Sequence, residues 1–231
     1  MIPRKIHYCW FGPAARSALG ERCLEGWRRV MPDYELKEWN EANSPLDAPY
    51  VRAALRAGGW SKAANYVRGH ALYTEGGLYL DTDVEVLKSF DPLLRHDAFL
   101  GFQAEDHPTD WVNNAVWGSR AGHPFARAYL DGLTDLLETR SRFARGPDVM
   151  TALLRQMGLK TYGFQEIAGV ALYPLEYFYP FSWLEASTPE RVKEATYCIH
   201  HWEKSWRDEP ERAPFSLRRE LKRFLARGFR R

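Results

Sequence analysis

Two aspartates one residue apart, Asp81 and Asp83, stand in the run Gly77-Leu78-Tyr79-Leu80-Asp81-Thr82-Asp83-Val84-Glu85-Val86, between two short apolar segments. In extended backbone, residues i and i+2 face the same way, so the pair can offer oxygens to one cation, or to a cation and its ligand. Hard divalent ions such as Mg²⁺ and Mn²⁺ favour this arrangement: one or two carboxylates, with the remaining positions left to phosphate oxygens and water. D-x-D alone is common and reads equally well as a solvated turn, so the surrounding sequence has to decide.

Upstream, residues 60–73 read as a helix with Ser61 as N-cap and Gly76-Gly77 as its stop. Residues three apart are neighbours on a helix, so Asn65 and Arg68 share a face just before the chain enters the strand bearing Asp81 and Asp83. On the helix alone, Arg68 reads as a structural ion pair. With a metal and a diphosphate between them, the same guanidinium becomes a bidentate phosphate clamp.

The elements that must position these groups alternate. Residues 4–11 read as a buried strand, and Leu19, Cys23, Trp27 and Val30 recur at helical spacing in a helix ending near Met31-Pro32. A strand at 34–39, a short helix at 51–57, the Asn65/Arg68 helix and the D-x-D strand, continuing through 84–90, follow in order. Strands at 99–103 and 112–118 and helices at 124–137 and 147–157 complete the pattern, the last with Pro147 in its first turn. Residues 172–183, rich in aromatics and proline, fit strand or loop. Alternation of this kind predicts an α/β fold with a mostly parallel central sheet flanked by helices, and such sheets bind ligands at the carboxyl ends of their strands. Trp10, Asp81 and Asp83 fall at such ends.

A chain of 231 residues suits one sizeable core. We divide it at 211/212, because the 32 basic and 30 acidic residues are unevenly spread. Residues 212–231 hold eight Lys or Arg against Glu220, a net of +7, which leaves −5 on residues 1–211. An acidic body without a reader motif argues against nucleic acid as a partner. Cys9, Cys23 and Cys198 form no C-x-x-C pair, which points to reduced thiols rather than a disulfide framework or zinc site. No stretch approaches the roughly 18 apolar residues of a membrane span, and no charged-then-apolar leader opens the sequence. These features predict a cytoplasmic, bacterial-type protein.

The run A-A-N-Y-V-R-G-H-A-L-Y-T-E-G-G-L-Y-L-D-T-D-V resembles the signature of the DXD-containing glycosyltransferases of family 32, which include yeast-type mannosyltransferases, capsular polysaccharide transferases and the catalytic domains of clostridial glucosylating toxins. Ile2 to Gly12 is similar to the family's opening strand, and Tyr197-Cys198-Ile199-His200-His201-Trp202-Glu203-Lys204-Ser205-Trp206 to its closing motif. The resemblance implies a GT-A-type nucleotide-sugar-binding fold and a retaining, Mn²⁺- or Mg²⁺-dependent transfer from a nucleotide sugar, UDP-sugar favoured and GDP-mannose the other option. It implies a glycan, lipid-linked or other hydroxyl acceptor, as in polysaccharide biosynthesis.

By the same resemblance, Trp10, a core tryptophan by composition alone, stacks on the nucleotide base. Asn65 and Arg68 contact ribose and diphosphate, with Asn replacing the family's more usual Asp. Asp83 is the direct metal ligand and Asp81 reaches the ribose or a metal-bound water. Neighbours on a strand face opposite ways, so one of His200 and His201 enters the site; the resemblance selects His200 as metal ligand, with His201 in reserve. Ser205 completes the metal shell, and Trp206 offers its indole N–H to the diphosphate or the glycosidic oxygen. Asp110 to Ala115 is similar to the segment lining the sugar pocket, where Asn113 or Asn114 holds hydroxyls, and Gly146-Pro147-Asp148 to the turn that sets Asp148 near the sugar. His7 reads as an internal packing residue.

Two other functions compete. A catalytically weak or inactive relative would keep the fold and bind nucleotide sugar, but Asp81, Asp83, Arg68 and Trp206 are intact. An aspartate-type phosphatase also uses D-x-D, yet wants Thr or Val where this chain has Glu85, and places the motif after the first strand of its fold.

In the tail, Leu217, Leu221, Phe224, Leu225 and Phe229 recur at i, i+4, i+7, i+8 and i+12, opposite a basic face. Such a helix either docks on the core or lies on an anionic membrane, where each Lys or Arg contributes about 1 kcal/mol. The membrane reading places the protein peripherally at the inner face. It predicts that co-sedimentation with liposomes requires anionic lipid, declines with salt and vanishes on deletion of residues after Pro214. Unfolding on deletion, or indifference to lipid, assigns the helix to the core.

Overall fold

The computed structural model describes residues 1–109, 111–140, 143–182 and 189–203. Asp110, Ser205, Trp206 and the basic segment 212–231 lie outside the described residues. Along the chain run β1 (Lys5–Cys9), α1 (Ala18–Val30), β2 (Glu35–Trp39), α2 (Pro49–Arg56), α3 (Trp60–Glu75), β3 (Gly77–Leu80), β4 (Val84–Val86), β5 (Ala98–Phe102), β6 (Val112–Ser119), α4 (Pro124–Arg140), α5 (Gly146–Gln156), β7 (Gln165–Ile167), β8 (Val170–Tyr173) and β9 (Cys198–His200).

Seven strands form one sheet in the order β2-β1-β3-β6-β5-β8-β7. β1 pairs in parallel with β2 and β3, and β5 with β8; β6 is antiparallel to both β3 and β5, and β7 to β8. Thus β1, β2, β3, β5 and β8 run one way and only β6 and β7 run back, so the α/β sheet is mostly parallel as the alternation predicts. β4 and β9 make a separate antiparallel pair, with Val84 opposite His200. The strand expected through 84–90 is therefore short and belongs to a second sheet.

Alternate residues of each strand supply the two faces. Ile6, Tyr8, Leu78 and Leu80 join Cys23, Leu24 and Trp27 in one core, whereas Cys9 and Tyr79 join Val67, Leu72 and Tyr129 in the other. α1 starts at Ser17, whose Oγ accepts from Gly20 N at 3.0 Å, and buries Cys23, Leu24 and Trp27. The Trp27 indole N–H donates to Val84 O at 2.7 Å, which fixes α1 beside the second sheet.

The N-cap of α3 is Gly59, with no side-chain cap bond, so Ser61 lies inside the helix rather than capping it. A helix that buries Ala63, Val67, Ala71 and Leu72 draws its stability from that packing more than from its terminus. Its stop is the predicted glycine pair. Gly76 and Gly77 have φ of +69° and +115°, and a Cβ on Gly77 would meet Lys5 O at 2.6 Å. All three cysteines are free and buried. No helix among the described residues is long and apolar enough to cross a membrane.

His7, buried in β1, locks this turn. Trp39 Nε1–H donates to its Nδ1 at 3.0 Å, so Nε2 carries the proton and donates to Gly76 O at 2.8 Å. Burial lowers its pKa from 6.5 to about 4. Above pH 6.5 both folded and unfolded states hold neutral imidazole, and the contribution of His7 is fully present. Below that, the unfolded chain takes up a proton the folded chain refuses, and stability is lost as pH falls through about 4. We expect urea unfolding to show this loss, amounting to about 3 kcal/mol, and His7→Phe to flatten the pH dependence between about 6.5 and 4. Equal slopes for the two proteins would show that His7 does not carry it.

Candidate active site

The chain leaves the large sheet at Asp81 and enters the small one at Val84. Asp81 N donates to Ala115 O at 2.9 Å, the last bond to the main sheet, and Val84 N donates to Asp81 O at 3.0 Å. Asp81-Thr82-Asp83 is thus a turn between sheets, not the extended segment expected from its sequence. Asp81, Asp83 and His200 nonetheless come together, and for the imidazole the reason is one the D-x-D spacing does not contain: the pairing of β4 with β9 brings His200 up to Asp83.

Each carboxylate is fixed from a different side. Asp81 Oδ1 accepts from Tyr79 Oη at 2.9 Å and meets Arg68 Nη2 at 3.2 Å. Arg68 is only 5% exposed; its Nη1 donates to Asn114 O at 2.7 Å and its guanidinium lies 4.4 Å over the Tyr79 ring. Burial alone would make that arginine easier to deprotonate, but Asp81 more than reverses the effect and keeps it charged. Asp83, also buried, accepts Glu203 N–H on Oδ2 at 2.7 Å and faces His200 Nε2 from Oδ1 at 3.3 Å. Burial pushes the Asp83 carboxyl up and the His200 imidazole down; their mutual attraction and the Glu203 N–H outweigh it, leaving Asp83 below and His200 above their ordinary values.

One ligand atom each from Asp81, Asp83 and His200 lies within 4.8 Å of the others. Two carboxylates and one imidazole suit a divalent ion such as Mn²⁺, and His200 Nδ1 is buried with no hydrogen-bond partner among the described residues. A cation here and the proton on His200 exclude one another, since imidazole ligates only when neutral. His201 points elsewhere, with Nε2 2.8 Å from Glu85 Oε2.

The remaining residues singled out in the sequence fall in three places. Trp10 follows β1, beside the end of β3, half-buried, its indole N–H donating to Ala14 O at 2.7 Å. Asn65, one turn before Arg68, accepts from Asn114 Nδ2 at 3.4 Å, and the same amide donates to Tyr129 Oη at 3.0 Å. The amide packs on Gly146, where a Cβ would come within 2.0 Å of Asn114 Nδ2. Asp148, in the first turn of α5, is buried under Arg145, which binds both its oxygens at 2.7 and 2.9 Å. Asn113 lies on the other face of β6 and donates to Gln103 Oε1. Tyr79, Ser17 and Glu203 were not anticipated. Tyr79 had a readable signal, since it lies two residues before Asp81 on a strand; Glu203 falls within the closing motif, but its meeting with Ser17 across 186 residues has no local signal.

Residues 19–100 match the family model described as "Glycosyltransferase sugar-binding region containing DXD motif". Over these residues the chain is similar to the sugar-binding region of the DXD glycosyltransferases. Among curated proteins it is 30% identical over 132 residues to inositol phosphoceramide mannosyltransferase 3 of Schizosaccharomyces pombe, covering 54% of this chain and 35% of that protein. It is 26% identical over 188 residues to lactosylceramide 4-alpha-galactosyltransferase of Pongo pygmaeus, covering 77% of this chain and 79% of that one. Against the Homo sapiens galactosyltransferase the match spans 49% of the relative's length. Among solved structures, the PaToxG glycosyltransferase superposes with a TM-score of 0.57 at 19% identity, covering 67% of this chain and 69% of that one. That likeness concerns the fold, which is of the GT-A type.

In this DXD site, Tyr79 holds Asp81 through one hydroxyl while its ring supports Arg68. Tyr79→Phe keeps the ring and removes the bond. We expect an unfolding midpoint near that of the wild type and about a tenfold loss of nucleotide-sugar turnover, the scale found for partners that orient a ligand. Unchanged turnover would show the bond to be idle.

Proposed function

We propose that this chain is a metal-dependent, retaining glycosyltransferase that moves a sugar from a nucleotide sugar, UDP-sugar favoured, to a hydroxyl acceptor. The observation that carries the reading is the convergence of Asp81, Asp83 and His200, three potential ligands at the turn between sheets. A divalent ion held there supplies neutralisation of the diphosphate charge that grows as the nucleotide leaves.

The chain's own residues take the other parts. Asp83 and His200 hold the ion, and Asp81, oriented by Tyr79 and Arg68, reaches the ribose or the ion's outer sphere. Trp10, at the neighbouring strand end, gives the base a face to stack on, an interaction of about 1–3 kcal/mol. Asn65, as an amide, offers a hydroxyl an acceptor but no catalytic base. Arg68 adds positive charge behind Asp81 and faces the diphosphate side; Asn114 and Asp148, in adjoining elements, border the sugar. Ser205 and Trp206 belong to this proposal from the closing motif alone. We infer attack on the same face from which the nucleotide departs, with the leaving phosphate oxygen taking the acceptor's proton, so that no protein nucleophile is required.

For the acceptor we propose a hydroxyl of a lipid's polyol or sugar headgroup. Support comes from the relatives, whose names specify inositol phosphoceramide and lactosylceramide as what they act on. The sugar is the open choice, because pocket-lining loops rather than the DXD turn set it.

The test is a panel of UDP- and GDP-sugars assayed for hydrolysis with Mn²⁺, with Mg²⁺ and after chelation. One donor should be turned over only with metal. Asp83→Asn should still fold but with a clearly lowered unfolding midpoint, because His200 loses its buried partner, and turnover by the folded protein should drop by about a hundredfold, since the change removes ligand charge where diphosphate charge develops. Undiminished activity in Asp83→Asn, or turnover that ignores chelation, overturns the metal-dependent reading.

A further inference from the structure

Beyond His200 the chain makes a turn whose geometry the three ligand candidates do not explain. Trp202 sits at φ +55°, a left-handed conformation that bulky residues seldom adopt. Its side chain is fixed all the same: the indole N–H donates to Phe181 O at 2.8 Å and the ring lies 4.0 Å from that of His200. The reversal at Trp202 turns the next backbone N–H, that of Glu203, onto Asp83 Oδ2 at 2.7 Å, while His201 N–H donates to Asp83 O at 3.0 Å. Two amides of this turn therefore grip Asp83.

Among the described residues, the far side of the turn is held through the Glu203 side chain. Ser17 Oγ donates to Glu203 Oε2 at 2.6 Å and accepts from Gly20 N at 3.0 Å, so the hydroxyl that caps α1 also anchors Glu203. The first turn of α1 is itself seated on the DXD turn, since a Cβ on Gly20 would lie 3.7 Å from Thr82 O. Arg16, the preceding residue, bonds Glu21 and Glu38. The anchor is thus a rigid part of the fold, and its carboxylate partner stands at a helix N-terminus, where negative charge is favoured.

We propose that Glu203, held by Ser17, is a positioning residue for Asp83: the Ser17–Glu203 bond fixes the left-handed turn at Trp202 and so aims Asp83 into the cation site. The inference rests on the proposed metal site. Outer partners of this kind commonly change metal affinity by 10- to 100-fold when lost, because the ligand must then be ordered by the ion itself.

The experiment is a Mn²⁺ titration of the full chain, followed by the loss of the free-ion electron paramagnetic resonance signal, alongside the unfolding midpoint of each protein. Glu203→Ala should weaken Mn²⁺ by about tenfold. Glu203→Gln keeps an oxygen that accepts the Ser17 hydroxyl and should restore binding to within about twofold of wild type. Ser17→Asp retains a capping oxygen for α1 but replaces the donor with a charge that repels Glu203; it should behave like Glu203→Ala and decides the question should that variant not fold. Wild-type affinity in Glu203→Ala or in Ser17→Asp overturns the positioning role, as does a loss in Glu203→Gln equal to that in Glu203→Ala, which would indicate charge rather than the bond. Failure of the wild-type chain to bind Mn²⁺ overturns the metal site itself, a result distinct from wild-type binding that the variants leave unmoved.

Discussion

Two like charges one residue apart have to be kept together where the chain crosses from one sheet to another, and the surrounding structure is arranged to make that tolerable. Each carboxylate meets positive charge from its own side, Asp81 from Arg68 and Asp83 from His200. Both partners are almost fully buried, so their attraction is little screened by solvent. Losing one partner of such a pair commonly costs about 3–5 kcal/mol, because the other is left uncompensated. The two neutralising groups, Arg68 and His200, lie far apart in the sequence and approach from opposite faces of the sheet.

This division explains how the elements are deployed. α3 packs its apolar face on one core and carries Arg68 to the end of β3, where Tyr79, pointing into that same core, supports it. β9 pairs with β4 over the other core and delivers His200. α1 backs the second sheet through Trp27 and meets the turn after β9 through Ser17. A DXD turn set between sheets has few backbone bonds of its own, so side chains from three elements hold it. Its rigidity is a tertiary property.

The arrangement also suits the cation site proposed above. Mutual attraction holds His200 above and Asp83 below their ordinary pKa values, and a divalent ion at this cluster would require the neutral imidazole. Cys9, close to this centre, is pushed up to about 12 by burial and keeps its proton. The charged groups gathered at this centre are Asp81, Asp83 and His200, with Arg68 behind Asp81.

Much of this was legible along the chain because it depends on local pattern. Apolar periodicity gave α1, α4 and α5 close to their observed limits, alternation of strand and helix gave the α/β class, and Gly76-Gly77 marked the end of α3 because only glycine tolerates that backbone. The DXD run and the Asn65/Arg68 pair pointed to the site for the same reason: chemistry that needs fixed spacing leaves its spacing in the sequence. What the sequence could not contain is who meets whom at a distance. That β6 runs back between β3 and β5, that β4 leaves the main sheet, that β9 lays His200 against Asp83, and that Ser17 reaches Glu203 all follow from strand pairing and packing among residues far apart in the chain, although the closing motif had already favoured His200 over His201. Local propensity carries no term for such contacts. The capping assignment at Ser61 shows the same limit in reverse, a sound local rule overridden because burial of Ala63, Val67 and Leu72 fixed where α3 begins. The residues for the chemistry were determined by the sequence; their convergence on one point was decided by the tertiary structure, because only long-range burial and pairing can bring a carboxylate pair, a guanidinium and an imidazole together and hold them there.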